Sequence, residues 1–272
     1  MPFPSDLPPL ALLILAAVAM IGGCMDAIAG GGGLITMPAV LMAGLPPHMA
    51  LGTNKGQAIF GSGMSSLTLW RAGRIDKRRG IWRFALAASA SALGTLAVLQ
   101  VSTQALKPVV LALLLAAAAL MFVRKRVHSA CARPDLARVL LALSLGFYDG
   151  FFGPGVGILH ILGGMWLLGQ MADQASAEAK IANFGSNMGA FVVFALAGKV
   201  VWPVAAVMAA GQFAGGWIGA HALMRIGPEW VRRVGVAVCF GLVAKVGWDW
   251  FHPAQAAQPV PEVAVQPSAA PR

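Results

Sequence analysis

The sequence predicts an all-α fold, a polytopic transmembrane helical bundle built from two inverted-topology repeats with broken or re-entrant segments. Three observations carry that prediction. Of 272 residues, 58% are hydrophobic and only 11% charged, where soluble domains carry roughly a quarter charged residues. Apolar runs recur along almost the whole chain, and a single soluble core could not hide so many. Finally, fourteen of the twenty Lys and Arg lie in three short loops, Arg71–Arg83, Arg124–Arg138 and Arg225–Arg233, the pattern of cytoplasmic loops between membrane spans.

The first run, Leu7–Met25, approaches the roughly 20 residues that cross a bilayer. It follows "MPFPSD", which lacks the basic start of a secretory signal, and so reads as a retained first span. Further runs follow at Leu34–Leu45, Ala58–Trp70, Phe84–Val101 and Val109–Val123. After the basic linker come Val139–Phe152, Ile158–Leu168, Phe184–Ala197, Pro203–Met224 and Val234–Trp248. Each half thus holds about five apolar segments, some half the length of a span. The organisation read from this is a first transmembrane repeat over 1–123, a basic cytoplasmic linker over 124–138 and a second repeat over 139–251. A disordered Pro/Ala-rich tail covers 252–272. Lys245 and Asp249 make a local i, i+4 pair, and Trp248, Trp250 and Phe251 fit an interfacial aromatic belt.

The halves echo each other. A shift of 125 residues lays Lys55 on Lys180, Ala72-Gly73 on Ala197-Gly198 and Gly94 on Gly219. A shift of 123 lays Asp26 on Asp149, Gly30 on Gly153 and Gly32 on Gly155. Matched loops carry opposite charge bias, the strongly basic one after Ala72 facing a weakly charged one after Ala197. Inverted repeats produce that alternation.

Composition also excludes classes. The net charge of +10 sits in loops too short to form a nucleic-acid-binding module, so no nucleic acid partner is expected. Cys24, Cys131 and Cys239 have no paired spacing, and the five His lack ligand spacing. Neither a metal nor another cofactor is predicted. No nucleophile–base constellation marks an enzyme.

What remains is a set of polar residues inside apolar surroundings. "AGGGG" (Ala29–Gly33) and "GFFGPGVG" (Gly150–Gly157) lack the Lys-Ser/Thr and the preceding strand of a phosphate loop. Gly costs about 1 kcal/mol and Pro about 3 in a helix relative to Ala, so Gly30, Gly31, Gly32 and Gly33, with Gly153, Pro154 and Gly155, read as helix breaks. Close helix packing is the other reading. Asp26 and Asp149 flank the breaks; they are candidates either for gating or proton coupling or for capping at headgroup level. In "LGTNKGQAIFGSGMSS", Lys55, Ser62 and Ser66 share one helical stripe, and in "SAEAKIANFGSNMGA" so do Lys180, Asn183 and Asn187. With Thr53 and Ser176 as N-caps, both lysines fall in a first helical turn. Amides and cation together would then make an anion site. Snorkelling of the lysines to the interface is the competing reading.

These residues resemble a known family. "DAIAGGGGLITMPAVLMAGLPPHMALGTNKGQAIFGSGMSSLTLWRAGRID", taken with "GFYDGFFGPGVGILHI" and "KIANFGSNMGAFVVFALAGKVVWPVA", is similar to the TSUP (TauE/SafE, sulfite exporter-like) membrane permeases, over about Ala17 to Val246. The resemblance implies a secondary transporter in the bacterial inner membrane that moves a small sulfur-containing anion such as sulfite, thiosulfate or an organosulfonate. Partners would be that anion and membrane lipid. By the resemblance and the stripes together, Lys55, Lys180, Asn54, Ser62, Asn183 and Asn187 are the expected substrate-binding residues, acting by alternating access. An anion channel or passive pore, or a carrier of another small organic anion, is the alternative.

Overall fold

The computed structural model describes residues 8–120 and 131–225, which form nine helices. The last apolar run, the Lys245–Asp249 pair, the Trp248–Phe251 cluster and the 252–272 tail lie outside the described residues. The helices are α1 (Pro9–Ala29), α2 (Gly33–Met42), α3 (Pro47–Arg71), α4 (Lys77–Leu99), α5 (Thr103–Leu120), α6 (Pro134–Phe151), α7 (Val156–Leu167), α8 (Ala172–Leu196) and α9 (Trp202–Arg225).

Their boundaries follow from local chemistry. Proline opens α1, α3 and α6, where its fixed φ suits the first turn and its missing N–H costs nothing. Asp76 caps α4 by accepting from the Arg79 amide at 2.8 Å. The stops of α3 and α8 are copies of each other. Ala72-Gly73 and Ala197-Gly198 place glycine at φ 71° and 66°. The next amides, of Arg74 and Lys199, reach back to the Leu69 and Phe194 carbonyls at 3.0 and 2.9 Å, the Schellman closure.

Packing repeats in the same sense. α1 lies along α9 and α6 along α4, while α3 and α8 pack on each other and respectively on α9 and α4. α2 rests on α3, and α7 on α8. Close approach is set by small residues: Gly211, Gly215 and Gly219 of α9 each abut the backbone of α1, at Ala16, Met20 and Cys24.

The polarity is that of a protein dissolved in lipid. Leu10, Leu13, Trp82, Leu93, Leu196 and Trp217 are exposed, whereas Lys55, Lys180, Asn54, Asn187 and Asp149 are buried. α1, α4 and α8 are long and apolar enough to cross a membrane. α2 and α7, with 10 and 12 residues, extend only about 15–18 Å and cannot span the roughly 30 Å hydrocarbon layer alone.

Lys55 and Lys180 are not in first turns: each sits eight residues past the start of a 25-residue helix. α3 starts early because Pro46 and Pro47 favour initiation there. Thr53 is not a cap; its hydroxyl accepts from the Val201 amide at 3.0 Å. Ser176 lies inside α8, whose N-cap position is Met171.

Candidate functional site

The site forms where the two breaks meet in the middle of the bundle. α1 ends at Ala29, Gly30 turns the chain at φ 79°, and α2 begins at Gly33. In the second half α6 ends at Phe151, Gly153 and Gly155 adopt φ 100° and 86° around Pro154, and α7 begins at Val156. The breaks touch through bare backbone. A Cβ on Gly30 would lie 2.4 Å from the Gly157 carbonyl carbon, and one on Gly157 would lie 2.6 Å from Gly30 Cα. Only glycine permits that crossing.

Against the breaks stand the polar stripes of α3 and α8, and the charges pair crosswise. The Lys55 ammonium donates to Asp149 Oδ1 at 2.6 Å and to Asn187 Oδ1 at 3.1 Å. Lys180 donates to the Asp26 backbone carbonyl and faces Asp26 Oδ2 at 3.5 Å. Each lysine therefore binds the aspartate of the other half. Lys180 sits at the C-terminal end of α1, where a cation is favourable to the helix dipole. Asn183 Nδ2 donates to both Asp26 oxygens at 3.3 and 3.1 Å, and Asn187 Nδ2 to Asn183 Oδ1 at 3.1 Å. Asn54 Oδ1 accepts from Thr36 Oγ1 at 2.6 Å and from Gln57 Nε2 at 2.9 Å.

Together they enclose a polar cavity of about 30 Å³, lined by Asp26, Asn54, Lys55, Asp149, Asn183, Asn187, Thr36 and Gln212, with break residues from both halves. That volume admits roughly one or two waters. The helix N-termini that face it are those of α2 and α7, through Gly32, Gly33, Gly155 and Val156. Several of their first amides already bond turn carbonyls, Leu34 to Gly31 and Ile35 to Gly32 at 3.0 Å, Val156 to Gly153 at 3.1 Å and Ile158 to Gly155 at 3.0 Å, and each helix start carries partial positive charge. The amide ends facing the cavity are thus set by the breaks and not by the starts of α3 and α8.

Most of the sequence-predicted residues converge here. Lys180 and Ser62 stand just behind the wall. Lys180 reaches the cavity through Asp26, and Ser62 receives Asn187 Nδ2 at 3.5 Å while donating to the Ala58 carbonyl. Gly31 is absent from the lining. Thr36, Gln57 and Gln212 are further polar residues of the site that lie off the two lysine stripes. At the same shifts they face Leu159, Ala182 and Ala87. Gln212 could have been found as the lone amide in the apolar run "VMAAGQFAGGW".

The sulfite exporter TauE/SafE family matches residues 15–246, nearly the whole bundle. The chain belongs to that family. It is an integral membrane protein, as its relatives' names and its apolar spans agree. A probable membrane transporter protein of Haemophilus influenzae is 40% identical over 248 residues, covering 89% of this chain and 97% of the relative. The probable membrane transporter protein ORF9 of Sinorhizobium is 38% identical over 89% and 94% of the two chains. YfcA of Escherichia coli K12, also named a probable membrane transporter protein, is 34% identical over 89% and 91%. No solved structure matches this member of the TauE/SafE family.

Proposed function

We propose that this TauE/SafE protein is a secondary transporter that moves a small sulfur-containing anion, such as sulfite, thiosulfate or an organosulfonate, across the bacterial inner membrane. In this reading residues 1–123 and 139–251 are inverted repeats that rock about the two crossed breaks in alternating access, joined by the cytoplasmic linker 124–138. The crosswise pairing of Lys55 with Asp149 and of Lys180 with Asp26 is the observation that carries the proposal. It supplies two buried cations whose partners belong to the opposite half. An arriving oxyanion takes the place of a carboxylate on a lysine, and the bond between the halves is released by the same event.

The resting site holds two cations and two anions, so it does not attract anions by net charge. Its preference comes from exchange: one anion for another on the same ammonium, with Asn54, Asn183 and Asn187 as neutral donors and the positive ends of α2 and α7 beside them. The cavity must widen to admit a sulfonate, which places substrate binding and conformational change in one step.

The test uses purified protein in detergent and in liposomes, against sulfite, thiosulfate, sulfoacetate and chloride. A sulfur oxyanion that raises the unfolding temperature, as a ligand bound only to the native state must, and that is taken up saturably supports the reading. Absence of binding and uptake for all the sulfur anions overturns it. Flux that never saturates would mark a passive pore instead.

A further inference from the structure

α7 and α8 bury three polar side chains that the central site does not use. His160, Ser176 and Gln170 are 1%, 3% and 4% exposed. Both ring nitrogens of His160, the Ser176 hydroxyl oxygen and both amide atoms of Gln170 have no hydrogen-bond partner among the described residues. Buried groups of this kind are satisfied by protein or by ordered water, and five polar atoms on α7, the α7–α8 turn and α8 have no such protein partner among the described residues.

They form a line. His160 is one turn into α7, just past Val156 at the cavity wall, and α7 packs along α8, which carries Lys180. Gly164 follows on the same face, and a Cβ there would stand 2.6 Å from Gln170 Oε1 and 3.0 Å from Ala175 Cβ. Ser176 shares the α8 stripe of Lys180, Asn183 and Asn187. The line therefore runs from Lys180 past His160 and Ser176 to Gln170, in the α7–α8 turn. At that end of the bundle Arg74 pairs with Asp173, both exposed.

The first half has no such line. At the shifts that align the lysines and the breaks, His160 corresponds to Met37, Gln170 to Leu45 and Ser176 to Leu51. All three are buried and apolar. At these three positions the second half is polar where the first is apolar and closed.

We propose that His160, Ser176 and Gln170 line a file of water that carries protons from the arginine-bearing end of the bundle to the Lys180–Asp26 pair. A hydronium O–H bond breaks at the inner end of the file and an O–H bond forms on the Asp26 carboxylate. Asp26 becomes neutral, Lys180 keeps its charge, and the ammonium is left free for an anion. The charged groups facing the route are Lys180 and Asp26 at its inner end, Arg83 and Glu178 on its flank, and Arg74 and Asp173 at its mouth. The water file is independent of the transport reading, while its use for proton coupling rests on it.

The file is tested on the unaltered full chain by hydroxyl-radical footprinting in liposomes. Oxidation of His160 with sparing of Met37, intrinsically the more reactive side chain, is expected; the reverse pattern overturns the proposal. A second measurement uses Ser176→Cys and Leu51→Cys in a chain whose three cysteines are replaced by alanine. N-ethylmaleimide should modify the first about tenfold faster or more, since only a hydrated thiol ionises readily; equal or slower reaction overturns it. For the proton role, His160→Met, which installs the first-half residue, should abolish most anion-driven proton uptake reported by a trapped pH dye while leaving anion binding intact. Unchanged proton uptake overturns that role. If the unaltered chain moves none of the anions, the transport reading fails, and the labelling still decides whether the file exists.

Discussion

Lys55 of α3 and Asp149 of α6 meet at 2.6 Å across 94 residues of sequence, and Lys180 of α8 makes the converse contact with Asp26 of α1. Each half therefore holds the charge that the other half needs. Burial makes the arrangement costly to interrupt, because an ammonium left without its carboxylate in a dry interior is far less stable than the pair.

That asymmetry sets the first prediction. Lys55→Met and Asp149→Leu, each alone, should lower stability in detergent by about 3–5 kcal/mol, and the double variant should recover much of the loss. Anion binding should be lost in the double variant as completely as in Lys55→Met. Thermal unfolding and a ligand-induced stability shift on the same four proteins check both parts.

The crossing of the breaks sets the second. Gly30→Ala places a methyl 2.4 Å from the Gly157 backbone at a positive φ, combining conformational strain with overpacking that flexible side chains cannot relieve. Folded yield should fall sharply. Gly73→Ala has a similar φ of 71° with nothing within 4 Å, and should cost only about 1–2 kcal/mol. Equal behaviour of the two in size-exclusion chromatography would show that the contact, rather than the dihedral, had been overvalued.

The same details mark what a reader of the sequence can and cannot see. A carboxylate followed by four glycines, and again by Gly-Pro-Gly, is legible as a helix break, because helices tolerate such runs poorly and bilayers tolerate little else. The pairing of Asp26 with Lys180 is not, because a repeat argument compares each residue with its counterpart and never with the opposite half's partner. The helix starts failed for a local reason. Thr53 looked like a cap, yet its hydroxyl is taken by the Val201 amide while Pro46 and Pro47 begin the helix earlier. Gln212 escaped because it stands alone in an apolar helix, away from both lysine stripes.

Exposure separates two further ion pairs. Arg74 and Asp173 are 3.5 Å apart with side chains 54% and 67% exposed, so Arg74→Ala should change stability by about 1 kcal/mol or less. Arg83 and Glu178 form a buried pair beside the α7–α8 wall, and Glu178→Ala leaves a guanidinium uncompensated, at a cost of about 3–5 kcal/mol. Raising salt should erase the small effect and leave the large one, because buried charges are weakly screened. Unfolding curves at two ionic strengths distinguish them.

Asn54 offers a test of anion binding whose effect can be reversed by pH. Its side-chain oxygen already accepts from Thr36 and Gln57, so Asn54→Asp keeps both hydrogen bonds and changes one donor amide at the cavity to a carboxylate oxygen. Two like charges roughly 5 Å apart repel by about 3 kcal/mol at an effective dielectric constant near 20. Anion affinity should therefore fall about a hundredfold, and thermal stability without ligand should fall too, because the added carboxylate is buried without a cation of its own. Acidification should restore binding as the new carboxyl takes up a proton, whereas Asn54→Ala should show no such recovery. Affinity unaltered by the carboxylate at neutral pH would mean that the anion does not occupy the cavity between Lys55 and Asn54.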